Sequence, residues 1–576
     1  MSLALWTAPL VVPLLLAIVT LVVTPHRRPV AAIVAPVPAL VLALAPEAGP
    51  APDLGWLLLD VQLALDDPRR ILLAAIALVW TGGATAAREL LSSRVGTASV
   101  WLLALFGNLG VVLAGDIVTL YATFAVLSFA AYPLIVHERT ASARRAGRIY
   151  LVMTLVGEAL LLAGLMLAVS AVGSTGLPQL AEAVDQGVVG APELGLMAAG
   201  FAVKVGILPV HLWLPLAHPA APVPASAVLS GAIIKAGIAG WLHVLPVGRT
   251  PSPSIGGALL LIGLATILLA GFVGVVQLDA KVVLAYSSVS QMGFIAVIVG
   301  AGLMGSASGS TAALAASFYV LHHGLAKATL FLSVRVRDQL PTSVVLVGSA
   351  LAGLALAGAP LTSGFVAKLA AKDVVSALPT TTADRVTLTL TFGAVVTTLL
   401  VARFLSLLLR DARAAAPRPG TGTSVGAVVA WAGLLAGVAV ASFVLPGVVA
   451  ETWVTPGASL GDVMSATWPV LLGSGIAVLA ARVPRLAMDA DRPLIPPGDA
   501  LVLVQRVGQL MTGPVDGASA AWSVVVRRVS HSGQVLRERV DPIEALGRLD
   551  DTLTRWRPFG IGFVAVAVLI AWSLTT

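Results

Sequence analysis

Lysine is the residue of this chain best suited to moving protons. Lys plus Arg total 35, yet the lysines are only Lys204, Lys235, Lys281, Lys327, Lys368 and Lys372. All but Lys281 lie inside apolar segments, whereas the loops carry arginine. A lysine at the centre of a membrane helix costs about 2.5–3.5 kcal/mol on insertion scales, so each needs a partner, water or a function. Burial moves lysine toward neutrality, which lets it exchange protons, while arginine stays charged. Lys372 sits near a span end beside Asp373, where it can snorkel or pair. Lys204, Lys235, Lys327 and Lys368 sit deeper. Glu158 is the deep acidic residue, readable as a lysine's counter-ion or as a proton carrier. His323 lies four residues before Lys327, so the two share a helix face, and histidine titrates near neutrality.

These charges need a lipid-solvated scaffold. The 576 residues are 58% hydrophobic and 11% charged, with mean hydropathy +0.97. A soluble domain carries about 25% charged residues. The expected fold is therefore an all-α polytopic membrane protein. Apolar runs predict about sixteen spans. They centre near Leu14, Val37, Leu78, Leu105, Val126, Leu161, Met197, Ile234, Ile267, Ile295, Leu321, residues 357–370, Leu399, Leu435, Leu472 and Val566. The first run, 3–23, lacks a basic leader region and reads as a span.

Basic residues recur in alternate loops: Arg27 and Arg28, Arg88 and Arg94, Arg139 to Arg148, Arg335 and Arg337, Arg410 and Arg413. Arg69, Arg70, Arg249 and Arg385 are the exceptions. The positive-inside rule puts the arginine-rich loops in the cytoplasm and both termini outside, in a cell (inner) membrane. The net charge of +7 reflects those loops rather than nucleic-acid binding. Cysteine is absent, which excludes disulfides and thiolate metal or iron–sulfur sites. No P-loop or HExxH pattern occurs, so no cofactor and no metal is expected, His211 and His218 included.

Helix breakers sit beside the lysines. Lys204 precedes Pro209 and Pro215, and Lys368 follows Gly358, Pro360 and Gly364. Broken backbone at membrane depth survives only where protein or a watery cavity satisfies it. The two breaks lie an odd number of spans apart, the arrangement of an inverted repeat. The organisation read from these features is N-terminal helices at 1–97, a first half-channel at 98–247 and a second at 248–420. Further spans follow at 421–482, then an amphipathic cytoplasmic arm at 483–556 and an anchoring helix at 557–576.

Residues 204–237, KVGILPVHLWLPLAHPAAPVPASAVLSGAIIKAG, closely resemble the signature of proton-conducting antiporter-like membrane subunits. Those occur in respiratory complex I, Mrp-type antiporters and group 4 membrane-bound hydrogenases. Gln277 to Lys281, Leu284 to Gly293, His322 to Ala328 and Pro360 to Phe365 agree in order and spacing, over about 107–410. The resemblance implies two inverted five-helix repeats, each with a broken helix. It also implies Lys204 as the lysine of the first half-channel and Lys235 as the connecting lysine. His323 and Lys327 become the central relay, and Lys368 the second half-channel lysine. The family's fifth-helix glutamate is replaced by Ala125, within Phe124 to Ser128, and Glu158 matches an acidic position one helix later. Tyr319 stands where some members have a second relay histidine.

The implied function is proton conduction or pumping along Glu158, Lys204, Lys235, His323, Lys327 and Lys368. The chain is read as a non-redox subunit among other membrane subunits, with a soluble subunit as a further candidate partner. Two alternatives are a sodium/proton antiporter subunit of the Mrp type and a membrane partner for a soluble inorganic-carbon-handling subunit.

Overall fold

A computed structural model describes residues 2–45, 61–305, 309–414, 424–443 and 459–482, plus isolated positions at 49, 51–52, 54–55 and 495–498. The chain divides into units Met1–Ile495 and Pro496–Thr576, and everything below concerns the first. The arm at 483–556 and the anchoring helix at 557–576 lie outside the described residues.

The described residues are all-α apart from isolated bridges. Each expected span centre from Leu14 to Leu472 falls in or beside a helix. Among the described residues, ten helical stretches are long and apolar enough to cross a membrane. Helix α1 is Ser2–Val22. The second stretch, Pro25–Leu44, is one candidate span by composition but is segmented into α2 (Arg28–Val34) and α3 (Val37–Leu44) around Pro36. Proline withholds a backbone donor there and interrupts the ladder. Then follow α4 (Asp67–Ala86), α5 (Arg88–Ser93), α6 (Thr97–Leu113), α7 (Ile117–Ile135), α8 (Ala141–Val172) and α9 (Leu177–Asp185).

The first interrupted pair is α10 (Ala191–Val205) and α11 (Trp213–Ala220). Helix α12 (Val223–Val228) runs through a π turn, Leu229–Ile233, into α13 (Lys235–Val244). Helices α14 (Pro253–Val275), α15 (Ala280–Met304) and α16 (Gly309–Val336) follow. The second interrupted pair is α17 (Thr342–Ala357) and α18 (Ser363–Ser376). The last described helices are α19 (Thr380–Ala414), α20 (Val425–Phe443) and α21 (Leu460–Arg482).

Both interruptions begin at a glycine in the left-handed region, Gly206 at φ 75° and Gly358 at φ 84°. Only glycine reaches that conformation without steric cost, and it closes the preceding helix. Leu361, in the second break, also has positive φ, at 64°, and is 81% exposed. A leucine held there stores strain that its surroundings must offset.

The helices that carry the deep charges form the centre. All of α15 within its apolar window is buried, and so are Lys235 on α13 and Lys327 on α16. Outer helices turn large apolar side chains outward, among them Leu15, Met166, Leu261 and Leu479, as lipid requires.

Ion pairs tie the two ends of the bundle. At one end Arg335 meets Glu89 at 2.6 Å, and Arg337 meets Asp411 at 2.8 Å. At the other, Arg69 lies 3.5 Å from Asp66, and Arg249 bonds Asp185. Two arginines that break the sequence's alternation are therefore each partnered by a carboxylate.

Candidate proton path

Lys204 occupies the last turn of α10, where the helix dipole is negative and favours a cation. It is buried, and its Nζ donates to Tyr150 Oη at 3.1 Å. Tyr150 Oη in turn donates to Ser128 O at 2.7 Å. The ammonium also lies 5.3 Å from each of the ring centroids of Phe124 and Tyr150. Aromatic faces attract cations, so two rings and a hydroxyl stand where the family's glutamate would pair. Trp213 Nε1 donates to Val203 O at 2.8 Å and staples α11 to the end of α10.

Glu158 on α8 is buried, and neither carboxylate oxygen has a hydrogen-bond partner within geometric limits among the described residues. No ion pair joins it to Lys204 among the described residues. The two instead line one cavity of about 10 Å³ with Ser128 and Thr154. That is room for about one water. Lys204 is thus a neighbour of Glu158 at this cavity and not a direct ion-pair partner.

The centre is tighter. Lys235 Nζ lies 2.7 Å from His323 Nδ1 and donates to Ser230 O at 2.6 Å. The π turn supports this arrangement, because Ile234 N–H bonds to Leu229 O, five residues back, instead of to Ser230 O. Gly231 and Gly324 let the two backbones touch. A Cβ on Gly324 would stand 2.7 Å from Gly231 O.

Lys327 Nζ donates to Leu284 O on α15 at 2.9 Å. Ser288 Oγ donates to the same carbonyl and meets Ser230 Oγ at 2.8 Å. Ser230 and Ser288 thus link the surroundings of Lys235 and Lys327. The sequence reading did not place either serine in the path.

Lys368 on α18 reaches back across the second break. Its Nζ donates to Ala357 O, the last residue of α17, at 2.8 Å, and lies 4.9 Å from the Phe294 ring centroid. Between it and the centre stands His322, which sequence reasoning missed. His322 Nδ1 meets Ser363 Oγ, at the start of α18, at 2.8 Å. Consecutive helix residues point about 100° apart. His323 therefore faces α13 while His322 faces the break. The i, i+4 match of His323 with Lys327 draws attention to one face and away from the other. Tyr319 packs against both His322 and Phe294, and its hydroxyl donates to Gln291 Oε1 at 2.7 Å.

The candidate residues thus fall into three groups. Glu158 and Lys204 share a cavity, Lys235, His323 and Lys327 form the centre, and His322 and Lys368 flank the second break.

Residues 114–397 match the family model described as NADH:quinone oxidoreductase/Mrp antiporter, TM. The chain is 31% identical over 318 residues to NADH-quinone oxidoreductase subunit N of Rhodococcus opacus, covering 50% of this chain and 57% of that one. It is 32% identical over 218 residues to hydrogenase-4 component B of Escherichia coli, covering 36% and 32%. The chain spans about half the length, or less, of the curated relatives it matches. Its fold resembles a chain of the Mrp complex from Dietzia sp. DQ12-45-1b, with a TM-score of 0.67, 23% identity, and coverage of 93% of this chain and 63% of that one. With the lysine-bearing broken helices inside the matched region, the chain is related to the antiporter-like membrane subunits of NADH:quinone oxidoreductase, Mrp antiporters and hydrogenase-4.

Proposed function

We propose that this chain conducts protons across the membrane through Glu158, Lys204, Lys235, His323, Lys327 and Lys368, as one subunit of a larger ion-translocating complex. The contact between Lys235 and His323 carries the reading. A buried lysine bonded to an imidazole joins two groups that can each hold or release a proton, with no carboxylate bonded to either among the described residues to lock the charge. The serines and carbonyls around them give each protonated nitrogen an alternative acceptor. The protein would then supply the route, and a partner subunit the driving force.

In this reading the chain has about sixteen spans in two inverted repeats, with the arginine-rich loops in the cytoplasm. Glu158 takes the part of the missing fifth-helix glutamate, through the water gap to Lys204. The aromatic cradle of Phe124 and Tyr150 then serves to hold the ammonium between transfers. Lys204→Ala and Lys327→Ala should each abolish coupled proton movement in vesicles of the assembled complex. Normal pumping by both variants, with assembly intact, sinks the proposal. Sodium dependence of the same flux would assign the chain to sodium/proton antiport instead.

A further inference from the structure

We propose that the outward face of α8 is a binding site for one anionic phospholipid. Arg145 and Arg148 hold its headgroup phosphate, and an acyl chain lies along Val152, Leu155 and Leu162. None of these residues belongs to the candidate path, so the site stands or falls apart from the relay reading. Helix α8 runs for 32 residues, and its two sides differ in kind. Gly147, Tyr150, Thr154, Glu158 and Leu161 are buried against the bundle. Arg145, Arg148, Val152, Leu155, Leu162 and Met166 are exposed. Steps of three and four residues put this second set on one stripe. The stripe starts with cations and continues with apolar side chains.

Neither Arg145 nor Arg148 has an ion-pair partner among the described residues. Arginines elsewhere at this end of the bundle are paired, Arg335 with Glu89 and Arg337 with Asp411. The end is the same because Glu138, just before α8, lines one cleft with Glu89 and Arg335. The first turn of α8 holds no acidic residue. The helix dipole disfavours cations there, so two exposed guanidinium groups stand uncompensated from both sources. A phosphate answers both, since it suits the planar arginine fork and the positive end of a helix. The positive-inside rule asks only for basic residues near this end, not for two of them in line with an apolar stripe.

Depth decides for a lipid over a free anion. At 1.5 Å per residue, Arg148 lies about 15 Å along the axis from Glu158, half of a hydrocarbon core of about 30 Å. One phospholipid of that leaflet therefore reaches from the arginines to the level of Glu158. A free phosphate would use the arginines and leave the stripe uncovered. On the opposite face of α8, Tyr150 Oη accepts from Lys204 and Glu158 lines the small cavity. Glycines bring the α8 and α10 backbones together, and a Cβ on Gly200 would stand 2.8 Å from Gly157 O. The lipid thus backs the helix that carries Glu158, at the depth where that helix meets α10.

The test uses the assembled complex in phosphatidylcholine vesicles. They contain a trace of photoactivatable phosphatidylglycerol or of photoactivatable phosphatidylcholine, with the reactive group in one acyl chain. After illumination the labelled peptides are mapped. The anionic probe should label α8 between Val152 and Leu162 about fivefold more than the zwitterionic one. On α14, where Leu261 and Leu269 also face outward, the two probes should label alike. Arg145→Gln with Arg148→Gln should remove the preference on α8, and the corresponding lysine pair should keep most of it. Arg27→Gln, at another exposed arginine, should leave it unchanged. Both target arginines are exposed, so the variants fold, and unaltered labelling of α14 reports that they do. Equal labelling of α8 by the two probes, or a preference that survives the glutamine pair, overturns the proposal. So does an α8 that escapes label while α14 takes it, the pattern of a partner subunit lying on this face.

Discussion

Lys235 Nζ and His323 Nδ1 lie 2.7 Å apart although 88 positions separate them in the chain. Where Lys235 is an ammonium, which has only donors, the imidazole offers Nδ1 as the acceptor. The ring proton then sits on Nε2, which has no hydrogen-bond partner. An unmet buried donor costs about 1–3 kcal/mol. The arrangement holds one proton between two nitrogens and leaves a second N–H ready for an acceptor. His323 cannot take a further proton at Nδ1 without releasing Lys235.

If the two residues act as one unit, their losses will not add. Lys235→Met and His323→Gln should each lower proton flux about 100-fold, within the range for removing a positioned acid–base group. The double variant should be no slower than the worse single. Multiplying losses in flux through vesicles would show two independent steps.

The hydrogen bond from His322 to Ser363 yields a second prediction, for a residue the motif spacing does not mark. His322→Phe keeps a ring but removes the nitrogens. Flux should fall about tenfold or more, with the complex still assembled. Ser363→Ala should show a milder loss in the same assay. Full flux in His322→Phe would remove His322 from the path.

The break before α18 leaves no space at Gly364. A Cβ there would stand 1.7 Å from Ala355 O and 2.9 Å from His322 Cε1. Gly364→Ala should therefore destabilise by more than the usual overpacking cost of about 1–3 kcal/mol. Thermal unfolding in detergent provides the measurement. Gly257→Ala, with nothing within 4 Å of the new atom, should unfold with the unaltered protein.

Outside the membrane, Asp185 on α9 bonds the Thr250 hydroxyl and the Arg249 guanidinium. The Thr250 hydrogen bond, and then Arg249, hold its carboxyl below the usual range. A folded-state value below the unfolded one means that the tie is fully present above about pH 4 and is lost as pH falls through the folded value. The pair is exposed, so the effect stays local. Relative to the intrinsic rate at each pH, hydrogen exchange of amides around Arg249 should accelerate on acidification below pH 4. Asp185→Asn should reproduce that acceleration at neutral pH.

Much of this was legible in the sequence because lipid enforces simple rules. Apolar runs mark the helices, and Pro209 with Pro215, and Gly358 with Pro360, mark where two of them break. The deep lysines stand out because nothing else in those runs is charged. What the sequence withheld depends on contacts between distant segments. Arg249 looks like an exception until Asp185 is seen beside it. Glu158 looks like a salt-bridge partner until a cavity is seen between it and Lys204. His322 is hidden by its neighbour, and only the approach of α18 reveals its partner. Lys372 looks like a partner of Asp373, yet no ion pair joins them among the described residues. The second apolar run kept its length and lost its continuity at Pro36, which composition averages over.

The cavity between Glu158 and Lys204 bears on insulation. A membrane protein that shuttles protons must also refuse to leak them, since the cell's stored gradient would otherwise drain through it. A space of about 10 Å³ admits one water and no chain of waters. In the proposed path this space is where Glu158 and Lys204 would exchange a proton. Transport would depend on when that gap wets, and a partner that widened it by one or two more waters would hold the switch.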